Sequence, residues 1–133
     1  MAQTPAALAL AHRVEPGGLL SLPGVCPPAQ PFLAALLARA FPQSNIVVVA
    51  PDLKAQELVQ QDLETWLGEP PLYFPPWEIL PHEDKPPPVD VISDRLQTLM
   101  QLSDPATGPS PVVTCVTALM QKTFVPGEIK RRT

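Results

Sequence analysis

Proline placement constrains this chain more than any other feature. Of its 133 residues, 20 are proline, about three times the usual share. Each one removes an amide donor and disfavours helix in the residue before it. The two longest windows without proline are 52–69 and 89–104, so the long helices are expected there. Proline at this level ordinarily signals disorder. Here 45% of residues are hydrophobic and 17% are charged, the reverse of a disordered composition. The sequence therefore reads as one small globular domain with its prolines gathered into loops, long enough for a modest core.

In 52–69, Ala55, Leu58, Val59, Leu63, Trp66 and Leu67 form an apolar stripe at helical spacing, with Asp52 placed to cap the start and Gly68 the end. In 89–104, Val89, Ile92, Leu96, Leu99 and Met100 form a second stripe. Asp90 and Asp94 lie early in that helix, where its dipole favours acids. A third helix is predicted over 31–41, with Pro31 at its first position; it is apolar nearly all round and should be well buried.

Ile46 to Val49 is a continuous β-branched run, as expected of a strand buried on both faces. Residues 111–116 read the same way, 19–22 is a weaker strand, and 72–74 a short fourth. A short helix is predicted over 117–122. Strands alternating with helices imply a doubly wound α/β layout with a parallel sheet, and ligands at the C-terminal strand ends.

The stretch 70–88 holds eight prolines in 19 residues, yet also Leu72, Tyr73, Phe74, Trp77, Ile79 and Leu80. That apolar mass predicts an ordered, extended loop packed onto the domain. Trp77 is expected to anchor it against the 89–102 helix rather than to stack on a nucleic-acid base, with Arg95 near an acid such as Glu78.

The formal net charge is −4, which argues against autonomous nucleic-acid binding because phosphate neutralisation needs a basic face. Lys130, Arg131 and Arg132 read as a solvated tail. Cys26, Cys115, His12 and His82 lack ligand spacing, so no metal site is expected. Cys26 and Cys115 both fall near predicted C-terminal strand ends, where plain packing is the commoner role of a thiol. His82, Glu83 and Asp84 form a triplet on the proline loop, read as solvated rather than as acid–base machinery. No apolar run approaches a membrane span or a signal peptide. A cytoplasmic location with reduced thiols is the expectation.

The turn between 19–22 and the helix at 31 is where a phosphate loop would lie. A phosphate cradle needs G-x-x-x-x-G-K-[ST]. Aligned on Gly24, this chain places Ala29 at the second glycine, Gln30 at the lysine and Pro31 at the hydroxyl residue. Pro27, Pro28 and Pro31 have no amide hydrogen to offer an anion. Gln30 brings no positive charge, and Pro31 cannot ligate magnesium. A turn that never held phosphate would look the same. Both readings predict no bound cofactor and no nucleotide chemistry in this chain.

Phe74, Pro75, Trp77, Glu78, Leu80 and Pro81, followed by Ile92, Ser93, Asp94, Arg95, Leu96 and Leu99, resemble a signature near the N-terminus of the transcription-repair coupling factors (Mfd). Asp94 stands where that signature commonly has Glu. The runs 46–68 and 112–126 are similar to neighbouring strand and helix segments of the same family. The resemblance covers roughly 17–126. It implies a RecA-like, P-loop helicase-type parallel sheet with flanking helices, similar to the first domain of the excision-repair protein UvrB, with a degenerate nucleotide site. The implied layout is a flexible segment at 1–16, the UvrB-like unit at 17–126, and the start of a connection at 127–133.

As a whole, the family is an ATP-dependent DNA translocase, a helicase-type hydrolase acting in nucleotide excision repair of DNA damage. It displaces stalled RNA polymerase and recruits UvrA. ATP, magnesium, DNA, UvrA and RNA polymerase engage other parts of such a protein. This chain is then expected to be a non-catalytic scaffold packing against neighbouring domains, with Phe74, Trp77, Glu78, Pro81, Ser93, Asp94, Arg95 and Leu96 in structural or interaction roles. The alternatives are a UvrB-like ATPase domain and a small nucleic-acid-binding module.

Overall fold

The computed structural model describes residues 4–79, 82–125, 127, 128 and 131. Its helices are α1 (Pro5–Val14), α2 (Gln30–Ala40), α3 (Leu53–Leu67), α4 (Val89–Ser103) and α5 (Val116–Met120). Its strands are β1 (Val47–Ala50), β2 (Leu72–Phe74) and β3 (Val112–Cys115). They form one parallel sheet in the order β1-β3-β2. Val47 pairs with Val112 on one side of β3, and Leu72 pairs with Val112 on the other. The α/β class and the parallel sheet predicted from the alternating pattern are both present.

Local chemistry sets the helix ends. The Asp52 carboxylate accepts from the Ala55 amide at 2.8 Å, occupying one of the orphan donors of the first turn of α3. Gly68 closes that helix at φ 82, a left-handed conformation with no steric cost for glycine. α2 begins after a single 3-10 turn, Pro27–Ala29, where proline's missing amide hydrogen is no loss.

The core lies on both sides of β3, whose four residues are all buried. Ala34, Ala35, Leu63 and Val113 form one cluster, with Val48, Val59, Leu67 and Tyr73 packed against it. Ala50, Phe74, Val112, Cys115 and Ala118 form the other, joined by Ala55, Leu72 and Leu99.

Four sequence expectations need correction. No strand forms at 19–22, and Leu19 is fully exposed; strand propensity in so short a run is a weak, context-dependent preference. β1 is not buried on both faces, because Val47 and Val49 are 54% and 47% exposed. The buried face of α4 is Val91, Arg95 and Thr98, not the stripe containing Val89 and Met100, which are exposed. On α3, Leu58 and Trp66 are exposed while Gln56 and Leu63 are fully buried. In both helices the most apolar arc faces outward in part, because the inward arc must also supply hydrogen bonds. Within the segment expected to be flexible, residues 5–14 form α1, with Thr4 Oγ1 accepting from the Ala7 amide and Ala7 buried.

Candidate functional site

The resemblance motif folds into a polar latch on the strap 73–77 that leaves β2. Three consecutive carbonyls of the strap accept side-chain donors from different elements. Thr98 Oγ1 donates to Tyr73 O at 2.7 Å. Gln56 Nε2 and Thr114 Oγ1 donate to Phe74 O at 3.1 and 2.9 Å. Arg95 Nη1 donates to Pro75 O at 2.7 Å. Gln56 Nε2 also reaches Val113 O at 3.2 Å, tying strap and central strand together. Pro75 and Pro76 bring no amide hydrogens, so acceptors dominate here and the surrounding side chains supply donors.

Arg95 is the centre of the latch. Its guanidinium lies 4.1 Å from the Phe74 ring centroid and 4.3 Å from that of Trp77. The residue is fully buried, and burial pulls its pKa down to about 10. A desolvated cation over aromatic faces gains more than an exposed one. Trp77 is half-buried; its Nε1 donates to Lys122 O at 2.9 Å, and its amide donates to Gln121 Oε1 at 2.8 Å. The segment after α5 is thereby fastened to the strap.

Trp77 meets α4 through the Arg95 guanidinium, but it is half-buried, short of the burial against that helix expected from the sequence. The acidic partner expected for Arg95 is replaced by a backbone carbonyl and two rings. Glu78 is exposed and sits at φ 55, a left-handed conformation that costs a non-glycine residue about 1–2 kcal/mol. Ser93 is exposed, while Asp94 and Leu96 are half-buried. Pro81 and Leu80 lie outside the described residues. Burial, followed by Asp90, raises the Asp94 pKa. Burial, then Glu57, Cys115, Glu78 and Asp94, raises Tyr73 to about 12.

The turn at 24–31 lies beside a second feature, an apolar groove of about 390 Å³ at the C-terminal end of β1. Pro27, Pro28, Gln30 and Pro31 line one side; Val49, Ala50, Leu58 and Val59 line another, with Asp62 at its margin. Gly24 and Gln30 are exposed, Ala29 half-buried and Pro31 buried. Cys26 is exposed and Cys115 buried, and both are free thiols. His82, Glu83 and Asp84 are exposed, and His12 pairs with Glu15 at 3.8 Å. Among the described residues no group of His, Cys, Asp and Glu could hold a metal ion, and no helix is long and apolar enough to cross a membrane.

Sequence reasoning passed over Gln56, Thr98, Thr114 and Gln121. One signal was present: Gln56 and Leu63 are seven residues apart, on one face of α3, so a glutamine shares the core face with a leucine. The carbonyls that it and Thr98 serve lie far along the chain and leave no local mark.

These features define a parallel α/β unit whose aromatic strap is latched by an arginine from the following helix. The chain is related to the transcription-repair coupling factors. It is 37% identical over 98 residues to the transcription-repair-coupling factor of Mycobacterium bovis, a match covering 70% of this chain and 8% of that protein. The same figures hold for the transcription-repair-coupling factor of Mycobacterium tuberculosis. The chain thus spans about 8% of the length of the curated relatives it matches. No family model and no solved structure matches it.

Proposed function

We propose that this chain is a non-catalytic packing and interaction unit of a transcription-repair coupling factor, built as a RecA-like sheet with a degenerate nucleotide site. The relationship to the mycobacterial coupling factors over 70% of the chain carries this reading. ATP and magnesium, DNA, RNA polymerase and UvrA would engage other parts of the larger protein. This unit would hold its neighbours in place.

Two observations support the absence of nucleotide chemistry here. The groove beside the 24–31 turn is lined by proline, valine, alanine and leucine, with Asp62 its charged lining residue. An apolar wall and a carboxylate both disfavour a triphosphate. The 24–31 turn has Gln30 where a phosphate loop has its lysine, and Pro27, Pro28 and Pro31 have no amide hydrogen for an anion. Calorimetric titration of the chain with ATP and magnesium tests the reading. No heat of binding is expected, and micromolar affinity would restore the ATPase alternative. A mobility-shift assay on single-stranded and duplex DNA at low salt addresses the third reading. Tight binding that weakens with salt would make the unit a nucleic-acid module.

A further inference from the structure

The Arg95 guanidinium leaves one of its edges unused. Arg95 Nη1 donates to Pro75 O at 2.7 Å. Nε and Nη2 are buried and have no hydrogen-bond partner among the described residues. These two nitrogens share one edge of the planar group, the fork that pairs side by side with the two oxygens of a carboxylate. We propose that this edge is a binding site for the carboxylate of an aspartate or glutamate carried by a partner polypeptide. The inference concerns Arg95 alone and does not rest on the coupling-factor reading.

The energetics call for a counter-ion. Arg95 is fully buried. Burial pulls its pKa down to about 10, with no carboxylate among the described residues raising it again, so it stays cationic at neutral pH. A buried cation with unpaired donors carries a desolvation cost that a hydrogen-bonded anion offsets. The neighbouring acids of the chain face elsewhere. Asp94 lines the cleft that holds Tyr73, Gln97 and Gln101. Its pKa is raised, the opposite of what contact with a guanidinium produces. Glu78 is exposed.

The shape of the site selects a carboxylate. The Phe74 and Trp77 ring centroids lie 4.1 and 4.3 Å from Arg95 Cζ, so a partner must arrive in the plane of the guanidinium. A carboxylate is planar and fits there, whereas a tetrahedral phosphate carries oxygens out of plane against the rings. Entry requires the strap to open. Trp77 closes it through two hydrogen bonds, to Lys122 O and Gln121 Oε1. Glu78, next in the chain, sits at φ 55, a strain that an opened strap releases. Beside these fasteners in the chain, Leu119, Met120 and Val125 are 56%, 82% and 58% exposed. Such a surface suits a polypeptide, whose apolar contacts offset the cost of desolvating its carboxylate.

NMR of the 133-residue chain can follow the Arg95 Nε–H directly. Titration with the blocked peptide Leu-Glu-Leu should move it saturably, together with the Trp77 Nε1–H. The Leu-Gln-Leu peptide should leave both in place. Sodium acetate should bind more weakly than the glutamate peptide, and inorganic phosphate should not bind. Arg95→Lys should weaken the glutamate peptide about tenfold or more, because lysine keeps the charge but loses the fork. If the lysine variant does not fold, the titrations of the native chain still decide. An Arg95 Nε–H that stays still in every titration overturns the proposal, as does an equal response to the glutamine peptide or undiminished binding by a folded lysine variant. Phosphate binding as tight as that of the glutamate peptide overturns the choice of a carboxylate, and acetate binding as tight overturns the polypeptide partner. A Glu78→Gln change that moves the Arg95 Nε–H as far as the peptide does, with no ligand added, also overturns it, because the chain then supplies its own carboxylate.

Discussion

The two outer edges of the sheet are treated in opposite ways. On β2, the outward carbonyl of Tyr73 is taken by Thr98, and that of Pro75, just beyond the strand, by Arg95, one turn earlier on α4. On β1, Val47 and Val49 are 54% and 47% exposed. Both edges are short and apolar in sequence. What differs is a neighbouring helix that spends polar residues on its buried face. An edge is closed by the side chains aimed at it, and α4 closes β2 at the cost of burying a cation.

The comparison breaks if the latch is dispensable. Arg95→Ala removes the guanidinium from between two rings and orphans the Pro75 carbonyl. Thermal or denaturant unfolding should show a loss of about 3–4 kcal/mol. A loss below about 1 kcal/mol would mean that the buried cation costs as much as its contacts return. Trp77→Ala leaves Arg95 covered on one side and frees the segment after α5. About 2–3 kcal/mol is expected, below the range for a fully buried tryptophan because Trp77 is half-buried. An unchanged melting temperature would free Trp77 for a binding role.

Thr98→Val sharpens the comparison most directly, since it makes the β2 edge resemble that of β1 without changing side-chain shape. One part-buried carbonyl loses its donor, at a cost of about 1 kcal/mol, and the melting curve should move accordingly. The smallest effect is expected from Asp94→Asn. The raised Asp94 pKa means that the folded state holds this proton more tightly than the unfolded chain does. The contribution is therefore favourable at low pH and lost as pH rises through the folded value. Removing the carboxylate should stabilise the chain at pH 7 by about 0.3 kcal/mol, discounted for its partial exposure. The gain should disappear on acidification below the usual carboxylate range. A gain that persists at pH 3 would trace to something other than ionisation.

Much of the fold was legible because its signals are local. The Asp52 cap, the Gly68 terminus and the β-branched run of β3 each act within a few residues, and all three stand in the structure. The buried faces were harder to read. Helical periodicity identifies the most apolar arc of α4, yet Val89 is 78% exposed while Arg95 is fully buried. A hydropathy stripe cannot register that the strap lying under this helix is made of carbonyls. The 19–22 run forms no strand, because strand propensity in so short a run is a weak preference that tertiary context overrides.

The sequence by itself determined four of the five helices described and the three strands that form, where proline interrupts them, and the relationship to the coupling factors. Those properties depend on φ restriction, on caps and on residue order. Only the tertiary structure decided that Arg95 serves a carbonyl between two rings and not Glu78, that Gln56 and Thr98 are buried donors, and that one edge is closed while the other stays open. The physical reason is distance along the chain. The partners meet across separations of 18 to 57 residues, beyond the reach of any local signal in the sequence.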